Sequence, residues 1–117
     1  FAPWASVHPF EFWIFPKRHQ PTILEMNSKE IHDLAVTFRV CFGGLRRLLG
    51  DPSYNFGFHM VPQRSFHWHL EVYPRLTVWA GFEKSTGMFI NVVSPEEASS
   101  SLKEVMMIEK EEVDSNL

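Results

Sequence analysis

Between Asn27 and Gly50 the chain reads SKEIHDLAVTFRVCFGGLRRLL, in which Ile31, Leu34, Ala35, Phe38, Cys41, Phe42, Leu45, Leu48 and Leu49 recur at intervals of three and four. That spacing lays the apolar side chains along one stripe of an α-helix of about six turns, and it is incompatible with a strand, whose side chains alternate with a period of two. Both ends carry their own signals. Asn27 with Glu30 three residues on has the form of a capping box, Met26 is placed to staple onto Ile31, and Gly50 before Asp51-Pro52 is a stop. Gly43 and Gly44 each cost about 1 kcal/mol relative to alanine inside a helix, so their presence predicts that another backbone packs closely there.

A helix with one apolar stripe must bury it, and the flanking sequence supplies a sheet. FEFWIF, Phe10 to Phe15, is aromatic and β-branched and bounded by Pro9 and Pro16, so it reads as a largely buried strand. In YNFGFHM, Tyr54, Phe56, Phe58 and Met60 alternate with Asn55, Gly57 and His59. In FHWHLEVYPR, Phe66, Trp68, Leu70 and Val72 alternate with His67, His69, Glu71 and Tyr73. The linker VPQRS predicts an antiparallel hairpin that brings Asn55, His59, His67, His69 and Glu71 onto one polar face. Further on, GFEKSTG reads as a glycine-bounded loop and MFINVV as a short strand. Ser94-Pro95-Glu96-Glu97 reads as the capped start of a second helix running to about Ile108.

The expected architecture is α+β: an antiparallel sheet with one long helix and a C-terminal helix on one of its faces. Residues 1–108 are expected to form the folded unit and 109–117 an acidic flexible tail. With 44% hydrophobic and 21% charged residues in 117, the chain has the make-up of one globular domain. A net charge of -3 gives no broad attraction for nucleic acid or an anionic membrane. No apolar run approaches the roughly 18 residues of a membrane span, and the lone Cys41 excludes an intrachain disulfide. The expectation is a soluble, cytoplasmic protein. Because FAPWASVHPFEFWIFP opens directly in strand-like aromatic sequence, the chain is also expected to be part of something larger.

Three chemistries fit the polar face. The histidines can be ordinary solvent-facing strand residues. They can bind metal, since His-x-His with His59 and a carboxylate offers the donors of a zinc or two-histidine, one-carboxylate iron site. Or an imidazole can attack phosphorus while its neighbours fix the tautomer. His-x-His followed by Glu also occurs in cupins, but a jelly roll has no room for a helix of over twenty residues between strands.

HWHLEVYP, His67 to Pro74, resembles the histidine triad signature, with Glu71 where the third histidine would stand. Together with PFEFWIFPKRH, YNFGFHMVP and AGFEKSTGMFINVVSPEEA, it resembles the C-terminal half of the galactose-1-phosphate uridylyltransferase family and its nucleotide-sugar phosphorylase relatives, over Phe1 to about Val105. The resemblance implies a histidine triad type fold and a nucleotidyltransferase that moves a nucleotidyl group between sugar 1-phosphates through a nucleotidyl-histidine. The family's nucleophile lies in a His-Pro-His motif of the N-terminal half, and no His-Pro-His occurs here.

What the resemblance implies for this half is a pocket wall and metal ligands. Nucleotide sugar and hexose 1-phosphate are the implied partners, together with an N-terminal half of the same protein or a homodimer mate. Zinc is the implied metal, with iron as the other candidate. One family arrangement pairs His19 and His67 with two upstream cysteines that this sequence lacks; another uses His59 with the alternating histidines. Phe82 and Glu83 are the substrate-binding residues the resemblance implies; Gly81, whose backbone N–H can approach an anion, and Asn55 on the polar face join them as candidates, and Arg75 and Lys84 can offset phosphate charge. His69 stands where histidine triad enzymes keep their nucleophile. A non-catalytic nucleotide- or metal-binding module, or a homodimeric nucleotide hydrolase using His69, are the alternatives.

Overall fold

The computed structural model describes residues 1–76 and 80–116. Its elements are strand β1 (Phe12–Ile14), helix α1 (Ser28–Leu49), strands β2 (Tyr54–His59) and β3 (His69–Pro74), a short helix α2 (Gly81–Thr86) and helix α3 (Pro95–Ser115). The strands form one antiparallel sheet in the order β1-β3-β2. The α+β expectation holds.

Helix α1 starts and stops where the sequence signals place it. The Asn27 side chain accepts from the Glu30 backbone N–H at 2.9 Å, and the Glu30 carboxylate accepts from the Asn27 N–H at 3.0 Å. The Gly50 N–H then closes the last turn on the Arg46 carbonyl. The apolar stripe of α1 meets the sheet face formed by Phe12, Leu70 and Val72, and Leu45, Trp68 and Leu102 complete the core. Leu70 and Val72 are fully buried because β3 is the central strand, and each contributes roughly 1.5–3 kcal/mol of burial.

The glycine pair in α1 marks the helix crossing. A Cβ at Gly44 would lie 2.8 Å from Met106 Cγ and 3.2 Å from the Met106 backbone, and one at Gly43 would run into the Glu109 side chain. Helix α3 therefore lies against α1 at the distance that only glycine permits. Arg47 locks the crossing by donating to Glu109 at 3.0 Å and to Glu112 at 2.8 Å.

Several local expectations are corrected. Helix α3 continues to Ser115, past the end expected near Ile108, because Glu109 and Glu112 are tied to Arg47 and Val113 is buried. Strand β3 begins at His69 rather than Phe66, because the Trp68 N–H is taken by the Gln20 carbonyl at 2.9 Å and the Phe66 N–H by Gln63. The hairpin connection is correspondingly longer than VPQRS. GFEKSTG is not an open loop: Gly81–Thr86 is helical and ends on Gly87 in the left-handed conformation. MFINVV is not a strand among the described residues, since Asn91 anchors it with side-chain N–H bonds to the carbonyls of Ser6 and His8, leaving Met88, Ile90 and Val92 exposed. No helix is long and apolar enough to cross a membrane, among the described residues.

Candidate functional site

The face of the sheet away from the helices is built by strand parity. Pairing of Phe12 with Val72 and of Ile14 with Leu70 sends those side chains into the core, so Glu11, Trp13 and Phe15 on β1 and its flanks share the opposite side with His69, Glu71 and Tyr73. From the other edge, β2 adds His59 opposite His69, and Asn55 opposite Tyr73. Residues from all three strands converge around His69.

His69 donates through Nε2 to Glu71 Oε1 at 3.0 Å, and its Nδ1 lies 3.4 Å from the His67 carbonyl. One side of its ring stacks on His59, with centroids 5.1 Å apart and planes 9° apart. Trp13 at 4.9 Å and Phe15 at 4.8 Å stack on it from β1. The imidazole is largely enclosed, with 14% of its side chain exposed. Glu71 is the hub: His59 Nε2 lies 3.4 Å from its Oε2, and the Tyr73 hydroxyl donates to the same oxygen. Burial, reinforced by the neighbouring Glu71 carboxylate, pushes the Tyr73 hydroxyl pKa well above the usual phenol value, so Tyr73 stays a donor.

The donor set fits a metal ion. One nitrogen from each of His59 and His69 and one oxygen of Glu71 lie within 4.8 Å of one another. Two imidazoles and a carboxylate form the ligand set of an open zinc site or a two-histidine, one-carboxylate iron site. In either case each imidazole would offer the ion an unprotonated nitrogen. Such an ion would supply a Lewis-acid positive charge at the sheet surface.

The other implied metal residues occupy a neighbouring position. His67 Nδ1 lies 3.1 Å from His19 Nδ1, His67 Nε2 donates to the Pro16 carbonyl at 2.7 Å, and His19 Nε2 donates to the Arg64 carbonyl at 2.5 Å. The structure thus puts His19 with His67, and His59 with His69 and Glu71, so His19, His67 and His59 are not one ligand set. Of the implied substrate residues, Asn55 sits on the site face of β2, whereas Gly81, Phe82 and Glu83 form the first turn of α2. Glu83 accepts from the Ala80 N–H at 3.1 Å as the cap of that helix, and Phe82 is exposed.

Glu11, Trp13 and Phe15 are not singled out by the sequence, because FEFWIF reads as a largely buried strand with no polar alternation. The parity rule applied to β2 and β3 exposes them: with Phe12 and Ile14 inward, Glu11, Trp13 and Phe15 must face the histidines.

Comparison with known proteins places this face in a family context. Over 91% of its length the chain is 33% identical to an ADP-glucose phosphorylase of Arabidopsis thaliana, covering 32% of that protein. Over 88% of its length it is 32% identical to a galactose-1-phosphate uridylyltransferase of Thermotoga maritima, covering 36% of it. A solved uridylyltransferase mutant superposes with a TM-score of 0.85 at 27% identity, over 92% of this chain and 40% of that one. Over nearly its whole length the chain is thus similar to about a third of these uridylyltransferase-type proteins. No family model matches it. The fold likeness extends to a zinc-bound histidine triad protein of Mycobacterium smegmatis, with a TM-score of 0.57 at 20% identity, over 96% of this chain and 78% of that one. The chain spans about a third of the length of the curated relatives it matches.

Proposed function

We propose that this chain is the C-terminal, histidine-triad-type half of a nucleotidyltransferase that moves a nucleotidyl group between sugar 1-phosphates, and that the nucleophilic imidazole belongs to an N-terminal half. The observation that carries this reading is the environment of His69. An imidazole that attacks phosphorus needs an unprotonated ring nitrogen open to substrate. His69 instead has Nε2 engaged by Glu71 and Nδ1 against the His67 carbonyl, with rings stacked on it from both neighbouring strands, so neither nitrogen stands open to substrate. That suits a ligand or a pocket wall. The sequence lacks the His-Pro-His that the family's nucleophile requires.

In this reading His59, His69 and Glu71 hold zinc, with iron the other candidate, and the metal fixes the sheet surface against which the second half packs. Asn55, Gly81, Phe82 and Glu83 are the residues this reading assigns to the nucleotide sugar and hexose 1-phosphate. The relatives' names, an ADP-glucose phosphorylase and a galactose-1-phosphate uridylyltransferase, support a nucleotide diphosphate sugar as the substrate class.

The test is ³¹P NMR of the zinc-supplemented chain with UDP-glucose or ADP-glucose and galactose 1-phosphate or inorganic phosphate. Broadened nucleotide-sugar resonances without new products are expected. Product resonances that vanish in His69→Ala would instead establish a self-sufficient enzyme with His69 as nucleophile.

A further inference from the structure

Among the described residues only two polar residues are buried, Gln20 and Glu11, and Glu11 is the charged one. An enclosed carboxylate is costly unless hydrogen bonds replace its water. Glu11 has such bonds. Oε2 accepts from the Trp13 indole N–H at 2.9 Å. Oε1 accepts from His8 Nδ1 at 3.3 Å and from the backbone N–H groups of Val7 and His8 at 3.4 Å. The backbone entering this carboxylate is itself constrained, since Phe10 adopts a left-handed φ of 61°, a conformation costly for an aromatic residue.

Both side chains that Glu11 holds lean on the candidate site. Trp13 lies on the His69 ring at 4.9 Å with planes 20° apart. The His8 ring lies 5.1 Å from that of Tyr73, whose hydroxyl donates to Glu71. A single buried carboxylate is therefore linked to His69 through one ring, Trp13, and to Glu71 through two in succession, His8 and Tyr73. An apolar residue would fill the same space without orienting either ring.

We propose that Glu11 is a positioning residue for the His59–His69–Glu71 site, fixing the His69 imidazole through Trp13 and Glu71 through His8 and Tyr73. The functional consequence rests on the metal-site reading given above, whereas the positioning itself does not. Outer partners of this kind typically govern about 10- to 100-fold in metal affinity.

The test uses histidine- and tryptophan-labelled chain without metal, followed by zinc titration. In Glu11→Ala the indole proton should lose its protection from exchange, the His69 ring resonances should lose the shift imposed by the overlying Trp13, and zinc affinity should fall about tenfold. Glu11→Gln keeps an acceptor for the indole and should restore the His69 resonances. Should Glu11→Ala fail to fold, Glu11→Asp, with its carboxylate one methylene short of the indole, serves in its place and should show the same loss. His69 resonances at their wild-type positions in the folded Ala or Asp variant would overturn the proposal. If those resonances move while even the wild-type chain binds no zinc, the positioning stands and the metal reading fails.

Discussion

Glu30 shows how one carboxylate can serve two elements. It completes the cap of α1 and receives a two-point bond from Arg18, Nε to Oε1 at 2.7 Å and Nη2 to Oε2 at 3.0 Å. The Arg18 bond, then that from the Asn27 backbone, hold its carboxyl at about 2, below the ordinary 4.5. Since the folded value lies below the unfolded one, the native state binds fewer protons in this range. The contribution is present above about 4.5 and is lost as pH falls through about 2. Wild type should therefore be more stable than Glu30→Gln at neutral pH, with the gap in urea midpoint closing over that interval and shrinking in high salt because the pair is open to solvent. A gap independent of pH would show that the carboxylate's charge is not what matters. The cap was legible from Asn27 and Glu30, whereas Arg18 was not, because no local spacing rule pairs a loop residue with a helix twelve positions on.

At the scale of elements, the glycine pair of α1 makes the sharpest demand. A methyl at Gly44 meets Met106 backbone atoms at 3.2 Å, and backbone cannot swing aside as a side chain does. Overpacking of this kind costs about 1–3 kcal/mol, against about 1 kcal/mol gained in helix propensity. Gly44→Ala should therefore lower the thermal midpoint, while Gly43→Ala, which meets the movable Glu109 side chain, should cost less. A Gly44→Ala protein as stable as wild type would mean that α3 does not sit on α1 as described. Periodicity made α1 and the parity of β2 and β3 legible, because each element's own core contacts impose the repeat. The extent of α3 was not, since Arg47 holds its last turns from another element. Nor was the fate of MFINVV, whose strand-like composition finds no ladder to join and is held by Asn91 instead.

Across the whole molecule, the candidate ligands come from two strands, His59 from β2 and His69 and Glu71 from β3, so an ion there would tie the edge strand to the central one. Alternation in YNFGFHM and FHWHLEVYPR with a hairpin between them made the shared face of His59, His69 and Glu71 legible, whereas the direct pairing of His59 with His69 depends on register, which the folded sheet defines. An ion that binds the folded chain and not the unfolded one stabilises it by about 2.7 kcal/mol at a free concentration 100 times Kd. For a domain near this size that raises the thermal midpoint by roughly 10 °C. Zinc should produce such a rise, a chelator should reverse it, and Glu71→Gln should abolish most of it, because the amide keeps the Tyr73 contact while removing the anionic ligand. The His19–His67 pair offers only two nitrogens, so His19→Ala should leave the rise largely intact. Loss of the rise in His19→Ala with retention in Glu71→Gln would move the metal to that second position and leave His59, His69 and Glu71 as a hydrogen-bonded wall of the nucleotide-sugar pocket.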